Sequence, residues 1–148
     1  MDKFMNAAIE EAIKGQKEGG IPIGSVLIYK DKILGRGHNR RVQKRSAILH
    51  GEMDALENAG RLSASVYHEC TLYTTLSPCF MCSGAVLLYG IPKIVIGENK
   101  NFMGEEELLK SRGVDIEVLQ EPSCIKMMSD FIAQNPQLWD EDVGKIYK

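Results

Sequence analysis

Long apolar runs are missing from this chain of 148 residues; the longest uninterrupted one, residues 85–89, is far too short to span a bilayer. No membrane partner is expected. An excess of one charge is missing too: 18 Lys and Arg stand against 20 Asp and Glu, for a formal net charge of −2. Proteins that grip a nucleic-acid backbone carry a basic stripe, and the densest basic cluster here, Arg40-Arg41-Val42-Gln43-Lys44-Arg45, is short and solitary. It reads as a solvated loop, with no nucleic-acid partner. Residues 1–5 lead straight into an amphipathic pattern, without the apolar core or small-residue cleavage site of a signal peptide, so a cytoplasmic protein is expected. Cysteine is scarce, at four residues, and in a reducing compartment disulfides are not expected. Cys70 and Cys124, without a spaced partner, read as small buried hydrophobes. Repeats, linkers and low-complexity tracts are absent, and 44% hydrophobic with 26% charged residues suits one globular domain over residues 1–148.

What is present begins with helical periodicity. Phe4, Ala8, Ile9, Ala12 and Ile13 share a face of a helix that Asp2 can cap and Gly19-Gly20, followed by Pro22, ends. Residues 26–29 and 33–37 flank Lys30-Asp31-Lys32 and read as an antiparallel hairpin. Residues 39–49 are polar and without period, a loop by pattern. His50 opens a helix through Met53, Leu56 and Glu57 that Ala59-Gly60 stops. Residues 71–75 are rich in β-formers, and Ser77-Pro78 introduces a helix over residues 79–89 that ends at Gly90-Ile91-Pro92. A strand over 93–97, a helix over 105–112 and a strand over 115–119 follow, and the helix between them favours a parallel crossover. Pro122-Ser123 opens a helix to Gln134, which Asn135-Pro136 breaks before a short segment carrying Trp139 and Asp142. This order predicts the α/β class: a three-layer α/β/α domain with a mixed five-stranded sheet between helices.

Two short stretches carry the chemistry, His50-Gly51-Glu52 and Pro78-Cys79-Phe80-Met81-Cys82. Cys79 and Cys82, three apart, lie on one face of a helix and can clasp one ion. A helix starting at Cys79 places the thiolates at the positive end of its dipole, which favours the deprotonated form. His50 completes a set of three ligands for Zn²⁺, one ion per chain. Three protein ligands leave a position for water, the mark of a catalytic site. Two thiolates weaken zinc as a Lewis acid, so a base is needed nearby, and Glu52 is the candidate. Two residues from His50 on a helix, it points in another direction and is free to move protons, first as general base and then as general acid. The site suits hydrolytic loss of ammonia from an amidine-like carbon.

His-x-Glu followed by Pro-Cys-x-x-Cys is the signature of zinc nucleobase deaminases. The chain resembles the cytidine deaminase superfamily, and within it the fungal-type cytosine deaminases. The resemblance is carried also by Lys17-Glu18-Gly19-Gly20-Ile21-Pro22-Ile23-Gly24, Gly35-Arg36-Gly37-His38-Asn39, Leu72-Tyr73-Thr74-Thr75-Leu76-Ser77 and Tyr89-Gly90-Ile91-Pro92, and so covers nearly the whole chain. It implies the superfamily fold, a homodimer, and zinc-dependent deamination of free cytosine to uracil in pyrimidine salvage, with 5-fluorocytosine also accepted. It assigns Asn39 to the ring N1–O2 edge with the Gly51 N–H nearby, and Asp142 with the Ser77 carbonyl to the exocyclic amine. Phe102 and Trp139 become apolar walls that cover a planar ring and exclude water. The carboxyl-terminal segment becomes a lid.

The rivals are a tRNA adenosine deaminase or a guanine deaminase of the same superfamily, a nucleoside-level cytidine deaminase, and a non-enzymatic zinc-stabilised module. Gly51, where the first two families usually carry alanine, and the acidic balance speak against them. The helix between the last two strands and the terminal segment speak against the third, and the absence of a fourth protein ligand against the last. The chain departs from the fungal pattern at Asp54 and Ala55, after Phe102, and in the tail Lys145-Ile146-Tyr147-Lys148. These departures bear on substrate preference and leave the chemistry intact.

Overall fold

The computed structural model describes residues 2–146, so Tyr147 and Lys148 of the tail lie outside the described residues. The elements follow in the order α1 (Lys3–Lys17), β1 (Gly24–Tyr29), β2 (Lys32–His38), α2 (Arg41–Lys44), α3 (Gly51–Ala59), α4 (Ala64–Tyr67), β3 (Cys70–Thr74), α5 (Phe80–Tyr89), β4 (Lys93–Ile96), α6 (Glu106–Ser111), β5 (Asp115–Val118), α7 (Pro122–Gln134) and α8 (Pro136–Asp142). The five strands form one sheet in the order β2-β1-β3-β4-β5. β1 pairs antiparallel with β2 and with β3, whereas β3–β4 and β4–β5 are parallel. The sheet is therefore mixed, as predicted.

Alternation along the strands divides the core. Val26 and Ile28, with Tyr73 and Val95, face α1 and α7, where Met5, Ala8, Ile9 and Cys124 complete one cluster. Leu27, Leu72, Ile94 and Ile96 face the opposite way, onto Val86 of α5 and Leu109 of α6, with Leu56 and Ala59 of α3 against them. That is the three-layer arrangement. Each fully buried aliphatic side chain in it contributes about 1.5–3 kcal/mol. A third cluster, with Ile21, Ile23, Leu76, Met128, Phe131 and Trp139, gathers where α7 and α8 meet the end of the sheet. Cys70 and Cys124 are buried free thiols inside the first two clusters, as expected. None of the described helices is long and apolar enough to cross a membrane.

Local signals hold at most element ends. The Asp2 carboxylate accepts the N–H groups of Phe4 and Met5 at 2.8 and 3.4 Å, and so caps α1. Three local expectations are corrected. The hairpin turn has two residues: Tyr29 pairs with Lys32, and Lys30 and Asp31 both take positive φ, 47° and 62°, as a type I′ turn requires. Residues 39–49 hold a helix, α2, too short to show a period, ended by Arg45 at φ 52°. The same cluster is not merely solvated, because Arg40 pairs with Asp54 at 3.0 Å and Arg41 with Asp142 at 2.9 Å.

Candidate metal centre and active site

Both ligand stretches sit where a helix begins. His50 is the N-cap of α3, and Cys79, rather than being the first helical residue of α5, is its N-cap; neither helix has a side-chain cap hydrogen bond there. Caps take extended backbone, which frees their side chains to point away from the helix. Cys82 follows on the first turn of α5, so one short segment supplies two sulfurs. Among the described residues, the cluster of His, Cys, Asp or Glu able to share an ion is His50, Cys79 and Cys82, with ligand atoms within 4.8 Å of one another. His50 Nδ1 stands 3.3 Å from Cys79 Sγ and 3.7 Å from Cys82 Sγ. Nitrogen and sulfur ligands about 2.1 and 2.3 Å from a tetrahedral zinc ion stand roughly 3.6 Å apart, so the donor set fits the metal.

The tautomer fits as well. His50 Nε2 lies 3.1 Å from the Asp142 carbonyl oxygen, which can only accept; Nε2 therefore carries the proton and Nδ1 presents its lone pair. The Cys79 thiol is lowered to about 4, chiefly by the hydrogen bond from Cys82 and then by His50, against the effect of burial. The same bond, together with burial, pushes Cys82 up. Burial works against the His50 charge, but Asp142 and Cys79 outweigh it and raise the imidazolium to about 10. Cys82 and His50 thus hold protons that a cation displaces on binding, whereas Cys79 already stands as a thiolate. Glu52, on the first turn of α3, is 4% exposed, and burial pushes its carboxyl to about 7 despite the His50 charge. A carboxyl poised there can both take and return a proton at neutral pH.

A narrow pocket opens on this floor. His50, Glu52 and Cys79 line it below, and Ser77, Phe102, Trp139 and Asp142 line it around and above. The Phe102 and Trp139 rings meet edge to face, 5.7 Å between centroids and 85° between planes. Asn39 and Gly51 stand behind the lining. Asn39 is fully buried, its Nδ2 donating to Asp142 Oδ2 at 3.0 Å and its Oδ1 accepting the Arg41 N–H at 3.0 Å. A Cβ at Gly51 would come within 3.0 Å of the Ile23 carbonyl oxygen, so alanine there would press on a pocket residue.

Arg41 is a member of the site that no sequence motif marks. Its Nη1 donates to Asp142 Oδ1 at 2.9 Å and to the Glu141 carbonyl at 3.3 Å, which ties α8 to the segment after β2. Burial disfavours the Asp142 charge, but His50 and Arg41 outweigh it and hold the carboxyl below its ordinary range. Ile23, Leu76 and Val143 also line the pocket. An apolar residue carries no spacing signal that separates a pocket wall from core. The departures Asp54 and Ala55 have structural work: Asp54 accepts the His38 N–H and Arg40 Nε, each at 3.0 Å, and Ala55 is fully buried.

Comparison with known proteins bears on the same residues. The family described as the cytidine and deoxycytidylate deaminase zinc-binding region matches residues 1–98, which contain all three ligands and Glu52. The chain belongs to the cytidine and deoxycytidylate deaminase family. Within the deaminases it is 56% identical over 144 residues to a cytosine deaminase of Candida albicans, covering 97% of this chain and 96% of that one. It is 35% identical over 142 residues to a tRNA-specific adenosine deaminase of Bacillus subtilis, covering 88% of each. A solved structure in complex with 8-azaguanine superposes with a TM-score of 0.73 at 25% identity, over 89% of this chain and 84% of that one. A guanine deaminase from Nitrosomonas europaea shares the fold at a TM-score of 0.69 and 22% identity, over 88% and 83%. The deaminase fold and the zinc-binding character of the site follow.

Proposed function

We propose that the protein is a zinc-dependent hydrolase that converts free cytosine and water to uracil and ammonia. The observation that carries this reading is the roof: α8 brings Trp139 and Asp142 over the zinc-ligand cluster and, with Phe102, narrows the pocket above it. The 56% identity to a cytosine deaminase along nearly the full chain supports it.

His50, Cys79 and Cys82 would hold zinc, which would supply Lewis acidity toward a neighbouring water. Glu52 takes that water's proton and passes it to ring N3 as hydroxyl adds to C4. Glu52 then moves the proton of the new C4 hydroxyl to the amine, so the C4–N bond breaks, C4=O forms and ammonia leaves. Asp142 and the Ser77 carbonyl receive the exocyclic amine. The Ser77 carbonyl suits this task, since its N–H donates to the Glu98 carbonyl at 3.1 Å and its hydroxyl is engaged by Glu106. Asn39 keeps one N–H and one lone pair for the N1–O2 edge, and the Gly51 N–H, at the start of α3, adds a donor to O2. Phe102 and Trp139 cover the ring and exclude water. A roof this close requires α8 or the Phe102 loop to move for substrate entry. Because the pocket contacts other edges of the ring, 5-fluorocytosine fits the same scheme.

The reading extends to a homodimer. Leu88 of α5, 74% exposed, lines a groove with Met53, Leu56 and Tyr89, Phe80 of the same helix is equally exposed, and a second copy covers them in this reading. Sedimentation at micromolar concentration tests it, and a monomer there rejects it. Action in the cytoplasm, in pyrimidine salvage, suits thiolate ligands that need reducing surroundings, and residues 1–148 are taken as one functional domain. Cell fractionation and limited proteolysis test these two statements.

The second reading is a tRNA adenosine deaminase, favoured by the 35% identity to such an enzyme. Absorbance assays with cytosine, cytidine, guanine and a tRNA substrate separate the two. Stoichiometric uracil and ammonia from cytosine are expected, and turnover of tRNA with none of cytosine would reverse the assignment.

A further inference from the structure

Residues 97–105 connect β4 to α6 and carry Phe102, one wall of the pocket. Glu98 holds the near side of this loop by accepting the Lys100 and Asn101 N–H groups; its far side is tied to Glu106, the first residue of α6, whose side chain does not reach the pocket and is almost wholly buried, at 3% exposure. One carboxylate oxygen accepts the Ser77 hydroxyl at 2.6 Å, the short end of the O–H···O range, and the other accepts Asn99 Nδ2 at 3.2 Å. Ser77 Oγ in turn accepts the Gly104 N–H at 2.9 Å, and the Glu105 N–H donates to the Pro78 carbonyl at 3.0 Å. Glycine is required at 104, because a Cβ there would collide with the Pro78 carbonyl oxygen. The loop that holds Phe102 is thus stapled to the segment that presents Ser77 and Cys79.

We infer that Glu106 is a positioning residue of the active site that acts through Ser77. The Ser77 hydroxyl donates to Glu106 and accepts from Gly104, and its N–H is given to Glu98, so the carbonyl is the polar group left to meet a substrate amine. Loss of Glu106 frees the hydroxyl to turn toward that amine. It also removes the ties through Ser77 and Asn99 that keep Phe102 against Trp139. The kinetic consequence rests on the cytosine deaminase reading, and the effect on Phe102 does not.

Trp139 is the single tryptophan of the chain, so its emission reports the Phe102 contact without any substrate. In the full-length, zinc-loaded protein, Glu106→Ala is expected to shift Trp139 emission to the red while one zinc per chain is retained. The same variant lowers kcat/KM for cytosine about tenfold to a hundredfold. Glu106→Gln, which keeps an acceptor for Ser77, is expected to recover both readouts. Combining Glu106→Ala with Ser77→Ala adds little to either alone, because both cut the Ser77–Glu106 bond through which Glu106 acts. Parental emission and parental kcat/KM in folded Glu106→Ala, or effects of the two substitutions that multiply, overturn the role. If Glu106→Ala does not fold, Ser77→Ala severs the same bond with a smaller loss of volume, and unchanged emission and kinetics there overturn it equally. If the parent protein leaves cytosine untouched, the deaminase reading falls, and the emission shift alone decides whether Glu106 holds the loop.

Discussion

The floor of the pocket takes its metal ligands from two segments 29 residues apart, each the first turn of a helix, whereas the roof joins Asn39 to Asp142 across 103 residues. On the floor, a cap position and one helical turn aim the ligands, so their placement is largely local. In the roof, each polar group is aimed by a partner from elsewhere: Asp142 by Asn39 and Arg41, Ser77 by Glu106. Binding of the ion should therefore tolerate damage that recognition of the base does not.

The largest break in that comparison is on the floor itself. Cys79→Ala should lose both metal and turnover, and elemental analysis with an assay for uracil reads the two together. Glu52→Ala should keep one zinc per chain and lose about 10²- to 10⁴-fold in turnover. A parental rate in that variant would take Glu52 out of the proton path. Truncation after Gln134 comes next: it removes α8, so turnover should vanish while zinc remains, bound about 10- to 100-fold more weakly for want of the Asp142 carbonyl on His50. Competition against a chelator measures this, and full activity of the shortened chain would detach the roof from the chemistry.

Arg41→Ala should be milder, lowering kcat/KM about tenfold with zinc retained, the size expected for a hydrogen bond to a charged group. Arg41→Lys should fall between, because a single ammonium can replace the Nη1 bonds to Asp142 and Glu141 but not the Nε bond to the Ala47 carbonyl at 3.1 Å. Equal kinetics for all three proteins would reduce the latch to surface decoration. The smallest effect concerns a region remote from both floor and roof. Burial opposes the Glu11 charge, but His38 and Arg36 outweigh it and hold the pKa below the ordinary 4.5; Glu18 is lowered by its bond to His38. For carboxyls depressed in the folded state, the stabilisation is complete above the ordinary value and is lost as pH falls through the folded one. Thermal melts of parent and Glu11→Gln should accordingly differ at pH 7 and converge below pH 4.5. A gap that stays constant with pH would leave these ion pairs without a part in acid stability.

The sheet and its helices are legible because a short apolar run bounded by turn residues, as in β1, and helical periodicity over many residues, as in α1, are strong signals. The ligand cluster was legible because its spacing is short-range. His50, Glu52, Ser77, Cys79, Phe102, Trp139 and Asp142 do meet at one pocket, though Ser77, Phe102, Trp139 and Asp142 are assigned by resemblance and not by pattern. α2 escaped notice because four residues make a single turn, and Arg41 because a long-range ion pair leaves no mark on its own neighbourhood in the chain. No motif or spacing marks Glu106, and only the fold brings it to Ser77.

The bond from His50 Nε2 to the Asp142 carbonyl makes the position of α8 and the orientation of a metal ligand two ends of one equilibrium. Whatever factor the docked helix adds to affinity for the ion, the ion must return to docking of the helix. A cell that starves such a protein of zinc therefore also loosens its roof, and a base seated beneath α8 slows the escape of the metal below.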